Sequence, residues 1–323
     1  MTMLSVFHRR NPCVRFWTMA FTITFVSVCC AQTQQNPPTH EDRIAQDLQL
    51  IHTAEQQHLP DDRIGYLWAV LAPEYRKAGN FTASEDAYFR ALGLLEGRPA
   101  AVRNYATTLD NLSMLYLTYG RLDEAEKYNR SSAKIRGGLG YPLDEARSEQ
   151  HMAEIDLARH KFKAAADRAA QALEVMERLN DPERSNMISA LNALAFTKCS
   201  LRDCAKGMEY AQRSLDMARS SYGEESAEAA HSMMAVGFAE WKLGKLNEAD
   251  ETMRSAIRVM KAREGPESRG LLLAISEYRN YLKGVHRDND AEKIAQELLP
   301  QVQKQAPACT TCVSVRSLSN AMR

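Results

Sequence analysis

His151, Glu154 and His160 are the first residues in this chain that suggest chemistry, because an imidazole and a carboxylate three apart share one face of a helix. A zinc hydrolase of the helical type needs two histidines four apart with a glutamate beside the first, and this spacing differs from it. Cys309-Thr310-Thr311-Cys312 is a second candidate, placed just after Pro307. Such a pair supplies two of the four ligands of a structural zinc and lacks the strand-to-helix setting of a thioredoxin-like site. A local disulfide, free or intermolecular thiols, and a redox or metal role therefore stay open for Cys309 and Cys312. Cys199 and Cys204 flank a predicted turn, where they form either a bridge or two small packing residues. The sequence contains no glycine-rich phosphate loop after a strand and no serine elbow. The expectation is a protein without catalytic set, cofactor or metal.

The elements that would position these residues are helical throughout. The chain has 323 residues with 45% hydrophobic content, too apolar for low-complexity disorder. Its 41 basic and 41 acidic side chains balance, so no strongly basic face for nucleic acid is expected. The first residues differ from the rest. Arg9, Arg10 and Arg15 precede or open an apolar run from Phe16 to Val28, small residues end at Ala31, and no acid appears before Glu41. This is the layout of a secretory signal peptide over 1–31, and its apolar run is short for a membrane span. A retained anchor is the alternative. Cleavage leaves a slightly acidic mature chain in the periplasm or outside the cell, with no membrane span, in a compartment where disulfides persist.

Beyond the leader the chain repeats itself. Leu112-Ser113, Tyr116, Gly120, Leu122, Ala125 and Ser132 recur as Leu71-Ala72, Tyr75, Gly79, Phe81, Ser84 and Ala91, and again from Met152, Leu194, Val236 and, more weakly, Tyr278. Units opening at Gly65, Ala106, Ala146, Ile188, Ala230 and Leu272 are separated by 41, 40, 42, 42 and 42 residues. Each unit reads as a helix, a turn and a second helix, with small residues where the two helices approach. A helix hairpin of this size cannot bury its apolar stripe alone, so neighbouring units must stack. The organisation expected is a leader over 1–31, a linker and capping helix over 32–61, a solenoid of about six repeats over 62–300, and a tail over 301–323.

Leu109-Asp110-Asn111-Leu112, Tyr116, Gly120, Leu122 and Glu124-Ala125-Glu126 resemble the tetratricopeptide repeat, and the long stride is similar to that of kinesin light chains. The resemblance implies an all-α, right-handed superhelical solenoid of antiparallel helix pairs whose first helices line a concave groove. On that register Asp110, Asn111, Met114, Arg147, Gln150, His151, Asn192, Phe196, His231, Met234, Phe238 and Trp241 face a bound segment, with Glu154 beside them. Phe196, Met234, Phe238 and Trp241 form an apolar and aromatic cluster, ringed by Arg147, Gln150, Asn192 and His231, of the kind that anchors a peptide. Asn111 matches an asparagine that holds ligand backbone in the family, whereas Val70, His151, Ala193 and Ala235 stand in its place in other units. Only Arg147 matches the family's basic clamp for a terminal carboxylate. Asn111 also opens an Asn-x-Ser triplet at a mid-helix groove position, a poor place for a glycan, which favours a bacterial source. The partner expected is a protein or peptide. Self-assembly into a structural envelope protein, or a thiol-redox or metal role for Cys309 and Cys312, are the alternatives.

Overall fold

In a computed structural model that describes residues 39–264 and 268–305, a backbone signature marks each inner turn. Gly79, Gly120, His160, Arg202, Gly244 and His286 all adopt a left-handed conformation, with φ of 76°, 73°, 58°, 68°, 79° and 60°. They recur with the same stride as the sequence repeat. In each case the next residue's amide returns to a carbonyl five residues back, from Asn80 to Tyr75 through Arg287 to Leu282, at 2.8–2.9 Å. This motif satisfies carbonyls that a helix end leaves open. Glycine makes the conformation easily, and His160, Arg202 and His286 reach it against the steric preference of a side chain.

Thirteen α-helices and one short 3-10 turn result, with no strand among the described residues. The first, α1 (His40–Gln56), opens on Thr39 and Asp42, which cap each other's backbone amides. Six hairpins follow: α2 (Asp61–Lys77) with α3 (Phe81–Leu95), α4 (Val102–Thr118) with α5 (Leu122–Gly137), and α6 (Pro142–Ala158) with α7 (Phe162–Arg178). Then come α8 (Arg184–Ser200) with α9 (Cys204–Tyr222), α10 (Ala227–Lys242) with α11 (Leu246–Glu264), and α12 (Arg269–Gly284) with α13 (Asp288–Gln305). None is long and apolar enough to cross a membrane.

The small residues do what their spacing implied. Ala72, Ala153, Ala195, Ala125, Ala165 and Ala249 are fully buried where paired helices cross. The hydroxyls of Ser84 and Ser113 donate across their hairpins to the carbonyls of Ala72 and Ala125, both at 2.7 Å. A Cβ at Gly207 would lie 2.9 Å from the Ala195 carbonyl oxygen, so only glycine allows that approach. Arg279, where the other units carry a small residue, is buried in α12 and pairs with Glu292 of α13. The first helices of successive hairpins touch one another along the array, whereas the second helices mainly touch first helices. The stack is a right-handed solenoid whose concave side is formed by α2, α4, α6, α8, α10 and α12.

Candidate functional site

Register decides what each inner helix shows. Asp110, Gln150, Asn192 and Met234 are equivalent positions of α4, α6, α8 and α10; one turn later come Met114, Glu154, Phe196 and Phe238. The earlier row faces the neighbouring inner helix. Asp110 is 2% exposed, Gln150 1% and Met234 5%, so the expectation that these three are open to a ligand is corrected. Met234 lies in the core that α10, α11 and α12 share, beneath Phe238 and Trp241. The later row, with Asn111, His151, Asn192 and Trp241, is partly exposed on the concave face.

Asp110 is buried because it is the centre of an ion network. Arg136 of α5 donates from Nη1 to Asp110 Oδ2 at 2.8 Å, to Ser148 Oγ at 2.8 Å and to the Asp144 carbonyl at 3.0 Å. His151 Nδ1 lies 2.9 Å from the same Asp110 oxygen, and the Asn129 amide donates to Asp110 Oδ1 at 3.2 Å. Burial works to push the Asp110 carboxyl up, but His151 and Arg136 outweigh it and hold it below the ordinary carboxylate range. Burial likewise opposes charge on His151, and Asp110 outweighs that effect and raises the imidazole.

The expected polar rim is largely spoken for by similar pairs. Arg147 donates to Asp181 at 2.8 Å, and exposed His231 lies 2.8 Å from Glu264. Arg103 holds Asp144 through two bonds at 2.6 and 3.0 Å. Arg147 and His231 stand at the expected rim, and their acidic partners lie 34 and 33 residues further along the chain. Glu154 differs. It accepts a hydrogen bond from the Gln150 amide, and burial drives its carboxyl up despite the charge of His151.

Burial raises the Glu277 carboxyl of α12 as it does that of Glu154 of α6, and the charge of Arg76 on α2 opposes the effect at Glu154. These three helices all border the concave channel.

One wall of that channel is aromatic. Phe196 and Phe238 stand with ring centroids 4.9 Å apart, Phe238 and Trp241 6.0 Å, and Trp241 and Tyr281 5.8 Å. The row thus crosses α8, α10 and α12. Gly284 makes room for it, since a Cβ there would fall 2.4 Å from the Trp241 ring. Lys242 Nζ sits 3.7 Å from the Trp241 centroid, an ammonium on an aromatic face. Tyr281 and Gly284 carry no clear signal in the sequence because the sixth unit matches the repeat poorly, and Lys242, the last residue of α10, lies beyond the repeat's patterned positions. Phe238 also packs on Cys199 and Cys204, which are joined by a disulfide at the α8–α9 turn. Cys309 and Cys312 lie outside the described residues, as do the leader and the tail beyond 305. Among the described residues no three His, Cys, Asp or Glu side chains gather as metal ligands.

A tetratricopeptide-repeat family model matches residues 186–262, the fourth and fifth hairpins, and a second matches 106–137, the second hairpin. No curated protein matches the chain by sequence. Several solved structures share the fold. BtubC (BKLC) from P. vanneervenii superposes with a TM-score of 0.53 at 22% identity, over 70% of this chain and 92% of that one. A Rap protein complexed with Competence and Sporulation Factor gives 0.60 at 16% identity, over 83% and 85%. Aspartyl phosphate phosphatase F from Bacillus subtilis gives 0.53 at 13% identity, over 80% and 75%. Family models fall on the second, fourth and fifth hairpins, and the stride and turn are shared by all six, so the described residues carry tetratricopeptide-like repeats.

Proposed function

We propose that this protein is a non-catalytic scaffold that holds an extended segment of another polypeptide in its concave channel, outside the cytoplasm. The observation that carries the binding role is the partly exposed aromatic row Phe196, Phe238 and Trp241 on two adjacent inner helices, backed by the buried ring of Tyr281 on a third. Aromatic anchors of this kind dominate peptide interfaces. The titratable groups nearby favour binding over catalysis, since Asp110, Asp144 and Asp181 are each locked in structural ion pairs. One solved structure of similar fold is a Rap protein complexed with Competence and Sporulation Factor, which supports a binding role for the same fold here. Export is supported by the charged, apolar and small-residue leader and by the Cys199–Cys204 bond, which suits an oxidising compartment.

The binding role is tested with peptides selected from a random display library against the purified protein. Isothermal titration of the selected peptides should show affinity that falls at least tenfold in Phe238→Ala/Trp241→Ala with helicity retained. Equal affinity in both proteins would place binding elsewhere. Export predicts a mature N-terminus at Gln32 in the envelope or culture medium; an intact Met1 in the cytoplasm overturns it.

A further inference from the structure

On the α6 side of the aromatic row, acceptors outnumber their donors. Glu154 takes one hydrogen bond, from the Gln150 amide nitrogen. The oxygen of that carboxamide, Gln150 Oε1, is buried without a partner among the described residues, and so is Asn192 Oδ1. Gln150 itself is 1% exposed. The donation to Glu154 orients its carboxamide, so the orphan atom is the acceptor. Gln150 and Asn192 are equivalent positions of α6 and α8, which touch, and Glu154 and Phe196 each lie one turn further along the same helices.

Buried acceptors in folded proteins almost always have donors, and the nearby cations do not serve here. Arg136 and His151 are committed to Asp110, Arg147 to Asp181, and Arg168 to Glu149 and Asp156. Arg76 acts on Glu154 by charge at a distance and makes no hydrogen bond to it. A ligand that brings several N–H donors and a positive charge fits this set, whereas a carboxylate would meet Glu154 head on. We infer that Glu154, Gln150 and Asn192 form a subsite for the arginine or lysine side chain of a bound extended peptide. The subsite rests on the peptide-holding role above and specifies its ligand. A guanidinium or ammonium lies on the partly exposed Glu154 carboxylate, and Gln150, covered in the free channel, turns its carboxamide oxygen outward to a second donor only when that ligand is present. Neighbouring inner helices lie about 8–10 Å apart, and an extended chain advances about 3.3 Å per residue. A basic side chain on Glu154 and an apolar one at Phe196 and Phe238 are therefore about three residues apart in the ligand.

The test is a positional-scanning library of fluorescein-labelled octapeptides, blocked at both ends and read by anisotropy against the full chain. Wild type should select Arg or Lys at one position and an apolar residue about three away. Glu154→Gln, which is isosteric and keeps a partner for Gln150, should cut the basic preference about tenfold. Glu154→Lys should turn that preference to Asp or Glu while the apolar preference stays. Phe238→Ala should do the converse, losing the apolar preference and keeping the basic one. Circular dichroism before each titration verifies folding, and the charge reversal gives a gain that misfolding cannot mimic. Apolar selection without a basic position, or an unchanged profile in both Glu154 variants, overturns the subsite and leaves the groove standing. No selection by wild type overturns the groove itself.

Discussion

Replacing Arg136 by methionine keeps much of the side chain's volume and deletes the guanidinium that joins α4, α5 and α6. Its Nη1 donates at 2.8 Å to Asp110, 2.8 Å to Ser148 and 3.0 Å to the Asp144 carbonyl, and both side chains of the Arg136–Asp110 pair are 3% exposed. Three lost hydrogen bonds at about 1 kcal/mol net each, added to a carboxylate left with His151 and Asn129 alone, give a loss of about 3–5 kcal/mol. That range is the usual result of breaking a buried pair from one side. Removing both charges, as Asp110→Leu/Arg136→Met, leaves no stranded ion, so the double variant should fall short of the summed single losses by about 2–3 kcal/mol. Urea denaturation at pH 7 followed by circular dichroism measures this. Hydrogen exchange over α4 to α6 localises it, because a repeat array opens in parts. A single-variant loss below about 1 kcal/mol, or strict additivity in the double, would refute the account of Asp110 as the centre of a structural network.

The same network sets a pH dependence. His151 has its folded pKa raised, so its contribution is full below about pH 6.5 and disappears as pH rises through the raised value. Asp110 has its pKa lowered, so its contribution is present above about pH 4 and is lost as pH falls through the lowered value. The pair thus stabilises most between about pH 4 and 6.5, and His151→Gln should flatten the decline in urea midpoint between pH 5.5 and 8.5. Arg202 holds a left-handed φ of 68° at an exposed turn, and Arg202→Gly should raise the urea midpoint by the equivalent of about 0.5–1 kcal/mol. A lower midpoint would show that the side chain outweighs the strain. Gly207→Ala should lose about 1–3 kcal/mol, since its new methyl meets the Ala195 carbonyl and Cys199. Cys199→Ala/Cys204→Ala opens a short loop and should lose no more than about 2 kcal/mol. Thiol titration of denatured, unreduced protein should show the double variant and wild type with equal free thiols.

The stride, the turns and the small residues at helix crossings were legible because they depend on local sequence. A left-handed cap and a close helix approach each restrict residue type at one position, and that restriction recurs every 40 to 42 residues. The groove was legible only in part. Register alone assigns Asp110, Gln150 and Met234 to the inner face, but a helix in a tight solenoid turns one of its inner stripes toward the next helix. The one-turn offset between Gln150 and Glu154 decides which stripe is covered. Ion partners were hidden for a different reason: Arg136 reaches Asp110 across 26 residues, and Arg147 reaches Asp181 across 34, each from a second helix or an outer turn. A charge on an inner helix is therefore no guide to ligand charge until its partner on the adjoining hairpin is known. Once those partners are assigned, most of the apparent polar rim becomes internal structure. What remains for a ligand is the aromatic row and the acceptors around Glu154, so specificity in this channel has to come from a few side chains on α6, α8 and α10.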